Sequence, residues 1–283
     1  MPELVVDGAT LVYDVRGELS DRERPVLLMI GTPMGASGFP TLASYFTDRT
    51  VVTYDPRGVE RSVRTDEGEL NPEIHSADLV ALIEALDVGP VDIFASSGGA
   101  VNGLALLAAR PDLVNLLVAH EPPLVGMLPD REVVSAATED IYQTYQREGL
   151  GPGMAKFIAI VGYEGEFPAD YSERPAPDPA MFGLPTEDDG SRDDALITQN
   201  LRGTTSYAPD FAALADIKDR LVIGVGEESA NQLAARAGLA VAERLGLTAV
   251  TFPSGHGGFL GDEYGMPGQP AEFAVKLREV LGG

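Results

Sequence analysis

The chain has 283 residues, 44% of them hydrophobic, and 44 acidic against 20 basic side chains give a formal charge of -24. One large buried core fits that length, and such a charge repels phosphate backbones and anionic lipid at long range, so neither nucleic acid nor membrane is an expected partner. There is no cysteine, which excludes disulfides, thiolate metal sites and a cysteine nucleophile. The N-terminus, MPELVVDGATLVYDV, and the later stretches offer no uninterrupted apolar run of signal-peptide or membrane-span length, so a soluble, cytoplasmic protein is expected.

In chain order, Leu4 to Val6 and Leu11 to Val15 flank Asp7-Gly8, a dipeptide that favours an antiparallel hairpin. PVLLMI (25–30), TVVTY (50–54), VDIFA (91–95), VNLLVAH (114–120), RLVIGV (220–225) and TAVTF (248–252) follow. They are too continuously apolar for a one-sided sheet and predict buried parallel strands with helices on both faces. Helix-period segments alternate with them: Pro72 to Leu86, Ala100 to Ala109, Ala230 to Leu245 and Pro270 to Leu281. The alternation breaks once, over 122–208, where helical stretches (Arg131 to Arg147, Met154 to Val161) lead into the Pro-rich, acidic SERPAPDPAMFGLPTEDDGSRDD. Such a span is too long for a loop in a compact domain. It predicts a helical insertion (122–208) over a core made of 1–121 and 209–283, with a lid as the natural reading and a dimerisation arm as the other.

FASSGGA (94–100) ends a strand on small residues and opens a helix, the setting of a nucleophile elbow. Ala95-Ser96-Ser97-Gly98-Gly99 fits small-x-Ser-x-small with Ser97 at the centre; centring on Ser96 would put Phe94 in a small-residue place. The Gly-rich loop in PVLLMIGTPMGASGF (25–39) lies where an oxyanion hole draws one of its N–H donors, so Thr32 or Met34 together with Gly98 are the candidates, Pro33 having no N–H. Of three histidines, His256 sits in the flexible FPSGHGGF loop with no apolar face to fill and is the expected base. His75 and His120 fit structural or surface roles.

These residues resemble the α/β-hydrolase fold family over nearly the whole chain. YDPRGVERS (54–62) is similar to its D-x-R-G-x-G-x-S loop with Glu60 in place of a glycine, IGTPMG to its HG-containing oxyanion loop with Ile30 in place of histidine, and GHGGFL to its histidine loop. The resemblance implies an α/β fold with an eight-stranded, mostly parallel sheet and a helical cap inserted after the sixth strand. It also implies an acid that orients the histidine. Where most members carry Asp after strand seven, this chain has Gly226-Glu227-Glu228-Ser229; some members carry the acid at the end of strand six, where this chain has Glu121. Glu121 is the expected acid, with Glu228 and then Glu227 as alternatives.

Ser97, His256 and a carboxylate imply acyl transfer through an acyl-serine, with no cofactor and no metal. A small to medium, apolar carboxylic ester or lactone is the expected substrate. Amide, thioester or carbon–carbon bond hydrolysis, cofactor-free perhydrolysis, and a non-catalytic ligand receptor of the same fold stay open. Met34, Tyr142, Tyr145, Phe157, Phe182 and Tyr207 are candidates to line an apolar substrate pocket. The expected partner is a small molecule, with a homodimer left open.

Overall fold

The computed structural model describes residues 1–21, 23–265 and 267–282. β1 (Glu3–Val6) and β2 (Ala9–Arg16) form the antiparallel hairpin over Asp7-Gly8, with Gly8 at φ +73°. Then follow β3 (Leu27–Ile30), α1 (Pro40–Ser44), β4 (Val51–Tyr54), β5 (Val63–Arg64), α2 (Pro72–Leu86), β6 (Val91–Ser96), α3 (Gly98–Ala109) and β7 (Val114–His120). After α4 (Arg131–Glu148), α5 (Leu150–Val161), α6 (Leu201–Thr205) and α7 (Phe211–Asp216) come β8 (Leu221–Gly226), α8 (Leu233–Leu245), β9 (Val250–Phe252) and α9 (Pro270–Val280).

The sheet order is β1-β2-β4-β3-β6-β7-β8-β9, with β5 paired to β2. All pairings from β4 to β9 are parallel. The expected eight strands are therefore joined by a ninth, β5, whose two residues pair with Ala9 and Thr10 and are too few to leave a pattern in the sequence. The apolar runs are continuous because both faces are covered. Leu28 and Ile30 point into a cluster with Leu79, Leu82 and Ile83 of α2, Val101 and Leu104 of α3, and Val241 of α8. Leu27 and Met29, one step out of phase, enter a second cluster with Leu42 of α1 and Phe273 and Leu277 of α9.

Local chemistry sets the ends of these elements. The Asn71 side chain accepts the Ile74 N–H at the start of α2, beside Pro72 in the first turn. α8 stops at Gly246, φ +65°. α5 starts at Leu150 rather than the expected Met154, because Pro152 falls in a first turn that needs no N–H from it.

Residues 122–208 carry the helices α4, α5 and α6, joined over 162–194 mostly by turns and irregular chain, and build a third cluster from Val134, Ala137, Ile141, Tyr145, Ile160, Phe167, Ile197 and Leu201. Leu233 and Ala237 of α8 belong to it too. Arg236 of α8 clasps Asp130, with Nη2 to Oδ1 at 2.8 Å, and donates to the Gly165 carbonyl at 2.6 Å.

Candidate active site

β3 has β4 on one side and β6 on the other, so successive connections leave it in opposite directions. The carboxyl ends of strands at such a reversal form a natural crevice for ligands. Ser97 stands there, between β6 and α3, at φ 56° and ψ -123°. Few residues other than glycine adopt such a backbone; it is held by packing on both sides. The Ser97 N–H donates to the His120 carbonyl at 2.9 Å. A Cβ on Gly98 would come within 2.5 Å of the Thr32 carbonyl oxygen, and one on Gly99 within 2.6 Å of that of Ile30. Small residues are thus required after Ser97 because the loop following β3 lies directly against the start of α3.

That loop is fixed from within. Asn102 Nδ2 donates to Thr32 Oγ1 at 2.8 Å, and Thr32 Oγ1 donates to the Gly31 carbonyl at 2.5 Å. Thr32 is buried and Met34 half-buried. Gly98 occupies the first helical position, where an N–H has no acceptor within its own helix. Asp55, fully buried, accepts from the Ala36 N–H at 2.8 Å and from Arg61 Nε at 2.5 Å, tying the loops after β3 and β4 together.

Glu121 directly follows β7 next to this turn, at φ 51°, and its N–H donates to the Gly224 carbonyl at 2.9 Å. Its carboxylate is 0% exposed but fully engaged. His256 Nδ1 lies 2.5 Å from Oε2, the Gly226 N–H donates to Oε1 at 2.8 Å, and the Ser229 hydroxyl donates to the same Oε1. Burial pushes the carboxyl pKa up, yet the hydrogen bond from His256, its charge and the Ser229 hydroxyl outweigh burial and hold it at about 2. For His256, burial favours the neutral ring, but the bond to Glu121 and its negative charge prevail and raise the pKa above the ordinary 6.5. The His256 side chain is 41% exposed, so this ring stands at the solvent edge of the crevice while its partner is sealed.

Glu228, the alternative acid, is exposed and accepts from Ser254 Oγ at 3.1 Å and Gln269 Nε2 at 3.4 Å. Glu227 is also exposed. Among the described side chains, Glu121 is the carboxylate that meets His256.

The aromatic candidates scatter. Tyr145 is buried inside the helical segment, its hydroxyl accepting the Asp194 N–H at 3.1 Å. Tyr142 lies under the Arg202 guanidinium, 3.6 Å from ring centre to Cζ. Phe157 packs on the same segment's cluster, and Phe182 is exposed on the short turn Pro179–Phe182. Tyr207 does not belong to the crevice. It lies beside Glu73, Val80, Ala105 and Ala108 between α2 and the far end of α3, about 16 Å along that helix from Ser97. Tyr145, Tyr142 and Phe157 pack within the segment and Tyr207 against α2 and α3, which composition alone does not distinguish from a pocket lining. Met34 remains beside the crevice, its side chain folded against Gly31 and Gly38.

Two residues at the site carry no sequence signature of their role. Ser229 is recognisable only by standing where an acid is usual. His120 is fully buried, its ring 6.3 Å from that of His256 and enclosed by Phe94, Phe252 and Phe273. Neither of its nitrogens has a hydrogen-bond partner. Among the described residues no group of three or more His, Asp or Glu could hold a metal ion, and no helix is long and apolar enough to cross a membrane.

Residues 26–275 match the family model described as the alpha/beta hydrolase family. The uncharacterized hydrolase YraK of Bacillus subtilis (strain 168) is 29% identical over 287 residues, covering 98% of this chain and 94% of that protein. MGS-M2, an alpha/beta hydrolase enzyme from a Medee basin deep-sea metagenome library, superposes with a TM-score of 0.70 at 17% identity, over 100% of this chain and 98% of that one. The enol-lactonase of Burkholderia xenovorans LB400 does so with 0.68 at 18% identity, over the full length of both.

Proposed function

Because this chain belongs to the alpha/beta hydrolase family, we propose that it is a serine hydrolase that cleaves a small to medium, apolar carboxylic ester or lactone through an acyl-serine intermediate. The observation that carries the reading is the Glu121–His256 hydrogen bond, made one strand away from a serine held at φ 56° at the head of a helix. With Nδ1–H bonded to Glu121, the other ring nitrogen of His256 carries the lone pair. It takes the Ser97 proton as Oγ attacks the substrate carbonyl, and the buried carboxylate offsets the charge that builds on the ring. The oxyanion is received by the N–H of Gly98 and an N–H of the loop after β3, from Thr32 or Met34. Each such donor is worth about 3 kcal/mol of transition-state stabilisation. His256 returns the proton to the leaving group and then draws one from water to release the acid. Residues 122–208 act as the cap that shields the crevice and shapes its substrate.

The test is incubation with a short-chain nitrophenyl ester and, separately, a serine-directed phosphonate. Turnover and a covalent adduct on Ser97, both abolished in Ser97→Ala, are expected. An intact protein that forms no adduct and turns over no ester or lactone in a panel would overturn the reading in favour of a ligand-binding role.

A further inference from the structure

The carboxylate of Glu121 is oriented by more than its histidine. The terminal torsion of a glutamate is soft and roughly two-fold, so a single bond to His256 would leave the carboxylate plane free to rock. Here Oε1 receives two donors, the Gly226 N–H at 2.8 Å and the Ser229 hydroxyl, while Oε2 is left to His256 at 2.5 Å. Ser229 is 1% exposed, and its other acceptor within reach, the Gly226 carbonyl, lies at the outer limit of 3.5 Å. An ionised carboxylate can only accept, so the direction of the Ser229 bond is fixed. The backbone around it is anchored to the strand that leads to His256: the Glu227 N–H donates to Phe252 at 2.9 Å and the Glu228 N–H to Ser254 at 3.0 Å. Ser229 Cβ also lies 3.7 Å from where a Cβ on Gly255 would stand, so this side chain abuts the residue next to His256.

We propose that Ser229 is a positioning residue for the hydrolytic reaction, its hydroxyl clamping Oε1 of Glu121 so that Oε2 faces His256 in one fixed geometry. The proposal rests on the serine-hydrolase reading for its kinetic consequence, though not for its structural one. A hydroxyl suits the place because it donates without adding charge. A second carboxylate there would face Glu121 across a hydrogen-bond distance and force one of the two to hold a proton.

The experiment compares Ser229→Ala, Ser229→Thr and Ser229→Val. The threonine and valine variants differ by a hydroxyl at nearly equal volume, so together they separate the hydrogen bond from packing. Two readouts are followed: ester kinetics across pH, and the downfield proton resonance of the His256 Nδ1–H bond. The alanine and valine variants should lose about tenfold in kcat with KM unchanged. Their acid limb of kcat/KM should move to lower pH, since a carboxylate free to rock holds the imidazolium less firmly. Their downfield resonance should shift or broaden, and Ser229→Thr should keep both properties. A folded Ser229→Ala with unaltered kcat and resonance, or a threonine variant as impaired as the valine one, would overturn the clamp. Absence of hydrolysis in the parent protein would instead remove the functional reading, and the resonance comparison would still decide the clamp.

Discussion

Replacing His120 by leucine isolates the effect of an imidazole that cannot be protonated in place. Both of its nitrogens lack partners and the ring is fully buried, so the substitution removes no hydrogen bond. Burial drives its pKa from 6.5 to about 4; the Glu121 charge opposes this weakly and His256 adds to it. A base whose folded pKa is depressed lets the unfolded chain bind more protons between the two values. Stability therefore falls as pH drops from about 6.5 towards 4 and loses nothing more from this group below that. At pH 5 the unfolded imidazole is almost wholly protonated and the folded one about a tenth, which gives a loss of about 2 kcal/mol relative to pH 7.5. His75, held at about 4 by burial despite its bond to Asn200, contributes a similar loss. Glu121, depressed to about 2 from 4.5, gives stability that is lost only below about pH 4.5. These groups, together with the opposite contribution of His256, are common to both proteins and cancel in the comparison. The assay is urea unfolding followed by far-UV circular dichroism, since the chain has no tryptophan. Between pH 7.5 and 5, His120→Leu should lose about 2 kcal/mol less than the parent. Equal losses would show that this ring is protonated in the folded protein and that its enclosure is not what the geometry indicates.

Glu121→Gln should lower kcat by about three to four orders of magnitude, because an amide cannot offset an imidazolium. Glu228→Gln should change kcat by less than about threefold, its carboxylate being exposed and bonded elsewhere; a pH–rate series checks both and should place the parent's acid limb above 6.5 and that of Glu121→Gln below it. Gly98→Ala puts a methyl 2.5 Å from the Thr32 carbonyl, so thermal unfolding should show a loss of about 1–3 kcal/mol with a fall in kcat from the displaced loop. Ser97→Gly should abolish turnover yet raise stability by about 1 kcal/mol in the same denaturation assay, since glycine accepts φ 56° without strain.

What could be read in advance follows from how locally each feature is encoded. Ser97 sits in a strand–turn–helix pattern written within a few neighbouring residues, and the two glycines that follow it are demanded by the Thr32 and Ile30 carbonyls. The parallel strands were legible because burial on two faces leaves unbroken apolar runs. Glu121 could be reached only through resemblance and elimination, since the carboxylate and His256 are 135 residues apart. Ser229 was named as the residue standing where an acid was expected, yet its bond to Glu121 spans 108 residues and leaves no periodic or compositional trace. The aromatic residues of the helical segment could not be placed from sequence for a different reason. Tyr145 and Tyr207 have the same chemistry wherever they point, and only packing decides that one fills the segment and the other the α2–α3 groove.

The clasp between α8 and the helical segment bears on how far residues 122–208 can separate from the rest of the chain. Asp130 is nearly sealed beneath Arg236, and Leu233 and Ala237 are sunk among the segment's own apolar side chains. Lifting 122–208 as a rigid flap would break the Asp130–Arg236 pair and expose a shared hydrophobic floor at once. The helical segment and α8 therefore share one floor, and a substitution that loosens the clasp acts on the base of the segment as well as on α8.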